Sequence, residues 1–468
     1  MHFGYLQADW KFSPKLTLNL GARYEFATPQ YEAQNRLSNF DPGSRRLIPA
    51  TTGSIRNRSG IAPDFNNWAP RLGLAYSLSP KTVIRTGFGM SYIHFNRLGG
   101  ENILSGNIPW VLRPSIAQLP QQGRCAPGQA IQTCFRPTQD GYPAGFLDPA
   151  NVSTATTRSL HIPVDTRTAY TASWHFSVQR EIAKDLLLDV AYVGNRTNKL
   201  VILGDLNQAR FNGPNENLTV DQRRPIQGFT TIQTAPPQGW ANYHSLQARL
   251  ERRFQGGLYL LNSFTYSKAL DNAAGHLETF NGDDPRTNVF NLANEKGASS
   301  YDQTLNNTTS VVYDLPFGKG QRFGSSWSKA LDLLAGGWRA SLINTMASGL
   351  PGTLRYNPVG RQGIGGVGGS IRPNVTGASL YFPESQREWF RWLDPAAVQV
   401  VPATDGNPFG NAGRGTVRGE PFYQADLGLH KTFALTERFR LEFRDEVFNL
   451  LNATNFLVPD TNRSNVTY

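Results

Sequence analysis

The stretch LTLNLGARYEF divides into two interleaved sets. Leu16, Leu18, Leu20, Ala22, Tyr24 and Phe26 alternate with Thr17, Asn19, Gly21, Arg23 and Glu25. A period of two marks a strand with two unlike faces. Such strands recur in pairs. GYLQADWKF and LTLNLGARYEF flank Ser13-Pro14-Lys15, and NWAPRLGLAYSL and TVIRTGFGMSYI flank Ser79-Pro80-Lys81. YTASWHFSVQREI and LLLDVAYVGN meet at Ala183-Lys184-Asp185, and YHSLQARLERRF and LYLLNSFTYSKAL at Gln255-Gly256-Gly257. FYQADLGLHKTF and RFRLEFRDEVFNLL meet at Leu435-Thr436-Glu437. TSVVYDLPF and GWRASLINTMASG stand further apart, with a short helix expected at SKALDLLAG. Proline, glycine and small polar residues at these junctions suit tight hairpins.

The connections between pairs run through residues 27–67, 94–168, 197–240, 271–306 and 351–420, all rich in Pro, Gly, Asn and Asp. Long loops alternating strictly with tight turns give a sheet with one trimmed end and one elaborated end, the asymmetry of outer-membrane barrels. The charges agree. Phe439, Leu441, Phe443 and Val447 share one side of RFRLEFRDEVF, and Arg440, Glu442, Arg444 and Glu446 the other. Arg71, Arg85, Asp189, Arg249, Glu251, Asp314 and Asp426 also fall on the polar side. Arg180 and Lys431 break the rule beside turns, where a long side chain is expected to reach water; Asp445 is an exception of another kind.

A soluble sandwich would alternate too, with its charges outside. Length separates the two: a ten-residue strand rises about 33 Å and, tilted about 45°, crosses roughly 23 Å, close to the apolar band of a barrel. Outward aromatics near strand ends (Trp10, Tyr24, Phe26, Trp68, Tyr92, Trp174 and Phe433) fit interfacial girdles. Composition points the same way. Hydrophobic residues are 39% and charged residues 17% of the 468, with 45 glycines, below the roughly 45–50% and about 25% of soluble domains. The expectation is an all-β protein, a transmembrane antiparallel β-barrel of about twelve strands with long extracellular loops and short periplasmic turns, in the cell outer membrane of a Gram-negative bacterium.

The run NLANEKGASSYDQTLNNTTSVVYDLPFGKGQRF, followed by AGGWRASLINTMASGLPGT, resembles the C-terminal barrel of TonB-dependent receptors, more narrowly the Oar-like type with a carboxypeptidase regulatory domain. ANYHSLQARLERRF with TYSKALD, and HKTFALTERFRLEFRDEVFNLLNATNF, resemble the same family, so the likeness covers most of the chain. In the family an aspartate precedes an Arg and a His ahead of the YxLPFG strand; here Asp302 is kept, with Gln303 and Asn306 nearby. The resemblance implies a wall of roughly 22 strands, of which residues 1–468 are a partial barrel domain. Signal peptide, plug, regulatory domain, early strands and last strand would lie outside it. It also implies energy-coupled solute uptake, with TonB acting through the plug; a non-transporting surface receptor or adhesin is the alternative. Partners would be outer-membrane lipid and lipopolysaccharide, the plug, and TonB indirectly.

Covalent chemistry is not expected. GIGGVG, Gly363 to Gly368, lacks the flanking strand and helix of a dinucleotide fingerprint, and Pro373 follows it. The seven histidines show no HExxH or other metal-ligand spacing, and Asp283-Asp284 lacks a calcium-loop pattern, so no cofactor is implied. The net charge of +11 is spread along the chain rather than clustered with aromatics, which speaks against nucleic acid. Cys125 and Cys134, in RCAPGQAIQTC, are a disulfide candidate that suits an oxidising compartment. Lumen-facing charged candidates are Arg23, Glu25, Arg71, Arg85, Arg440, Glu442, Arg444 and Glu446.

Overall fold

The computed structural model describes residues 1–94, 103–111, 138–146, 148, 158–210, 218–273, 288–357, 371–388, 391–401, 409–434, 436 and 438–463. Among these, twelve long strands form one antiparallel sheet in chain order. They are β1 (His2–Ser13), β2 (Leu16–Phe26), β3 (Trp68–Ser79), β4 (Thr82–Ile93), β5 (Ala169–Ala183) and β6 (Leu186–Leu200). The second half holds β7 (Gly239–Gln255), β8 (Leu258–Asp271), β9 (Leu305–Asp314), β10 (Trp338–Ala347), β11 (Phe422–Ala434) and β12 (Arg440–Val447). The outermost strands β1 and β12 pair on one edge only, so the sheet is open.

The short turns share a chemistry. In both Ser-Pro-Lys junctions the serine hydroxyl accepts the lysine backbone N–H, at 3.3 Å. Asp185 (φ 61°) and Gly256 and Gly257 (φ 61° and 81°) take left-handed conformations, which close tight hairpins. In each of the first four hairpins a bulge interrupts the register on the strand entering the turn. Bulges add local twist, which bends a sheet toward closure.

No second layer covers the wall among the described residues. The remaining sheets are two- and three-stranded and lie in loops. Leu72, Phe176 and Leu246 are 53%, 48% and 48% exposed, and the largest fully buried side chains are loop residues such as Tyr356, Phe40, Leu37, Leu104 and Ile162. A sandwich would bury the strand leucines first. Instead the apolar face lies open and carries two aromatic belts. Tyr24 packs at a tilt against Trp68 (4.8 Å) and Tyr92 against Tyr170 (6.1 Å) toward the long loops, while Trp338 meets Phe443 (5.9 Å) toward the turns.

One expectation about this face is corrected. Arg180 is exposed beside its turn, as the sequence suggests, but Lys431 is only 4% exposed. Its ammonium does not reach water. It donates to the carbonyl of Gly336 at 2.5 Å and lies over the rings of Trp338 and Phe433. A buried cation needs such partners.

The helix expected at SKALDLLAG is present as α1 (Lys329–Ala335), capped by Ser328, whose hydroxyl accepts the Leu331 N–H.

Candidate functional site

Register carries the polar face from strand to strand. Gly21 lies opposite Arg71, and Arg23 opposite Ala69. Arg71 then faces Gly89, and Ala75 faces Arg85. The same parity continues through Ser177, Ala191, Gln247, Thr265 and Asn306 to Ala347. It reaches His430, opposite Arg339, and then Arg444. Arg23, Glu25, Arg71, Arg85, Arg440, Glu442, Arg444 and Glu446 therefore all stand on one face. Arg444 donates to both oxygens of Glu442 (2.9 and 3.0 Å), Arg249 to Glu251 (2.8 Å), Arg339 to Asp314 (2.6 Å) and Arg85 to Gln179 (2.8 Å). Exposed pairs of this kind are screened by water and salt and contribute little. They organise a wet surface more than they hold the fold.

On this face, between β1 and β6, lies an open depression of about 490 Å³. Gly21, Gly73, Gly87 and Gly89 line it at neighbouring register positions, which lowers its floor to the backbone. His175 lies flat over Gly87, where a Cβ would come within 2.6 Å of the ring. Gln7, Asn19, Arg71 and Ser173 supply polar atoms around it, and Asn19 donates to Asp9. Among the described residues no group of three or more His, Cys, Asp or Glu side chains converges as a metal site.

Where β2 meets its loop, Glu25 pairs with Arg23 and its carboxylate meets His94 Nε2 at 2.8 Å, with the Glu25 and His94 side chains both buried. Sequence spacing gave no hint of His94, because the two partners lie on different strands' extensions.

The long loops are folded into two caps. The first joins segments from residues 27–67, 103–111, 158–168, 201–210 and 218–238. Leu37, Ile61, Leu104 and Ile162 form its core. The Asn39 amide both donates to and accepts from the backbone of Ile162, and the Asn107 amide does the same for Leu160. Ser159–His161 pairs in parallel with Ile232–Thr234, and His161 Nδ1 meets Thr234 Oγ1 at 2.8 Å. Burial lowers the His161 imidazole to about 4. Burial also raises Asp205, despite Arg224 at 3.0 Å. Burial pushes Asp64 up, but hydrogen bonds from Thr168 N–H and Arg167 outweigh it and leave its carboxyl below the ordinary value.

In the second cap, Leu354, Leu393, Ala397, Val398, Ala412 and Val417 form a core within residues 348–357, 371–388, 391–401 and 409–421. Three arginines tie this cap to its neighbours: Arg372 to Glu295 at 3.1 Å, Arg414 to Asp271, and Arg418 to Asp302. Asp302 also accepts the Ala269 N–H at 2.5 Å and is fully buried. Its basic partners are thus Arg418 and Lys268 (3.4 Å), both distant in sequence.

The FNLLNATNF signature has a local explanation. Asn449 (φ 52°) turns the chain after β12, and its amide both donates to and accepts from Ala453. Asn455 then bonds both backbone groups of Tyr423, at 2.9 and 3.0 Å, like a one-residue strand on β11. Cys125, Cys134, Gly363–Gly368, Asp283 and Asp284 lie outside the described residues.

A one-layer antiparallel sheet with an open apolar face, aromatic belts and an ion-paired polar face defines an outer-membrane β-barrel protein. The family model described as "Outer membrane beta barrel domain" matches residues 1–468, and the chain belongs to that family. Solved structures are similar to the chain at low identity. The outer membrane transporter YddB from Escherichia coli is 12% identical with a TM-score of 0.45, over 97% of this chain and 41% of that one. The ferripyoverdine receptor of the Pseudomonas aeruginosa outer membrane is 10% identical with a TM-score of 0.42, over 99% and 36%. The ferric-catecholate import receptor Fiu from E. coli K12 is 11% identical with a TM-score of 0.42, over 98% and 41%. The chain thus spans about two fifths of their length. No curated protein matches the sequence.

Proposed function

We propose that residues 1–468 form wall and extracellular cap of a TonB-dependent receptor that takes up a solute across the outer membrane. The observation that supports this reading best is the polar face. It runs unbroken across twelve strands, carries all eight charged candidates, and is floored by glycines at the 490 Å³ depression. In a closed wall that face lines the lumen. There the charges and the depression would meet a plug or a passing solute. Further strands would pair with the free edges of β1 and β12 to complete the barrel. The Oar-like motifs add that the plug and TonB-contacting region belong to the whole protein. The chain would perform no covalent step.

The test is uptake in cells lacking the gene, using labelled ferric siderophores, cobalamin and oligosaccharides with and without a protonophore. The expected result is loss of protonophore-sensitive uptake of one class. Unchanged uptake with lost surface attachment would instead identify a surface receptor or adhesin. Uptake indifferent to the protonophore would identify a passive pore.

A further inference from the structure

Four of the six connections at the trimmed end are two-residue turns and that after β11 spans only 435–439 by numbering, but the connection at residues 315–337 is 23 residues long. It is built rather than slack. Gly318 N–H donates to the Phe323 carbonyl (2.9 Å) and Phe323 N–H to that of Pro316 (3.0 Å). Asp332 Oδ1 accepts the Lys319 N–H at 2.6 Å, which fastens α1 to this loop. Yet most of its large apolar side chains are uncovered: Leu331, Leu333 and Leu334 are 44%, 59% and 75% exposed, and Phe317 and Phe323 are exposed beside them.

Two side chains fix which side of the wall it occupies. Trp338 Nε1 donates to the Leu334 carbonyl at 2.9 Å, and Lys431 Nζ to that of Gly336. Register places Trp338 and Lys431 opposite each other on the apolar face. The end of α1 is therefore held against the lipid-facing side of the sheet, away from the polar face. Its leucines continue the apolar band past the aromatic belt of Trp338 and Phe443. Lys319, Arg322 and Lys329 are exposed around them, with Asp332 already engaged. Apolar side chains beside a basic rim match the boundary between acyl chains and anionic headgroups.

We propose that residues 315–337 are a membrane-surface foot, whose leucines insert into the periplasmic leaflet of the outer membrane and whose cations face phospholipid headgroups. This rests on the barrel's place in the membrane and not on the uptake reading. Short turns mark the periplasmic end, so the occupant is the phospholipid surface there. The test uses the full-length protein in vesicles of phosphatidylethanolamine and phosphatidylglycerol, with Cys125→Ser and Cys134→Ser as background. Nitroxide labels at Leu331→Cys and Leu334→Cys are compared with one at Lys184→Cys in the β5–β6 turn. The leucine positions are exposed, so labelling leaves the sheet intact. The expected result is collision with oxygen exceeding that with a water-soluble nickel chelate, by a ratio several-fold above that at position 184. A nickel accessibility equal to that at position 184 would overturn the proposal by placing the helix in water. Low access to both reagents would overturn it too, by placing a second copy or another protein there.

Discussion

The wall and the caps solve opposite problems with the same amino acids. In the wall, leucine and phenylalanine are left open while backbone hydrogen bonds are satisfied between strands, which suits a hydrocarbon solvent. In the caps, Leu37, Leu104 and Ile162 or Leu354 and Leu393 are wholly buried, and charges are buried with them. That is the logic of a small soluble domain in water. The difference teaches that one chain is read in two solvents, and the boundary falls at the aromatic belt.

The comparison can be broken first at Asp302. Removing one partner of a buried ion pair costs about 3–5 kcal/mol. Asp302→Ala removes the carboxylate that joins Arg418, Lys268 and the Ala269 N–H, and is expected to raise amide exchange in residues 348–357, 371–388, 391–401 and 409–421 while β3 to β6 stay protected. Equal deprotection of the wall would show that wall and cap are one unit.

Next comes the face rule. Leu246→Arg places a cation on the apolar face of β7 and is expected to cost about 2–4 kcal/mol in bilayer refolding titrations. Gln247→Arg, one residue on, is expected to stay within about 0.5 kcal/mol. Equal costs would erase the distinction between the faces.

The first cap carries a pH dependence of its own. His161 has a folded value near 4, below its unfolded 6.5, so the unfolded cap binds more protons between them. The stability this gives is full above pH 6.5 and is lost as pH falls through that window, by about 3 kcal/mol. Local exchange around residues 159–161 should accelerate accordingly, and His161→Gln should flatten the profile. The smallest expected effect is Asn455→Ala, about 1–2 kcal/mol from two lost backbone bonds, read as faster exchange at Tyr423.

How much of this was legible follows the same divide. Alternation is written locally, so the strand pairs, the two faces, α1 and the shared side of Arg23, Arg71 and Arg440 could be read directly. The caps could not. Asn39 reads Ile162 and Arg414 reads Asp271, partners 123 and 143 residues apart. No period or spacing announces such contacts, because they exist only once the wall has brought the loops together. Lys431 was misjudged for a related reason. Its neighbours in sequence suggested water, whereas its partner Gly336 arrives from the longest turn.

The central claim concerns solvent, and β6 tests it most directly. Single cysteines from Leu186 to Asn198, in a background without Cys125 and Cys134, would be reacted with a water-soluble maleimide after reconstitution in vesicles. Modification is predicted at Leu187, Asp189, Ala191, Val193 and Asn195, and protection at Leu188, Val190 and Tyr192. Modification of the second set with protection of the first would put Leu188, Val190 and Tyr192 in water, and the account would be wrong.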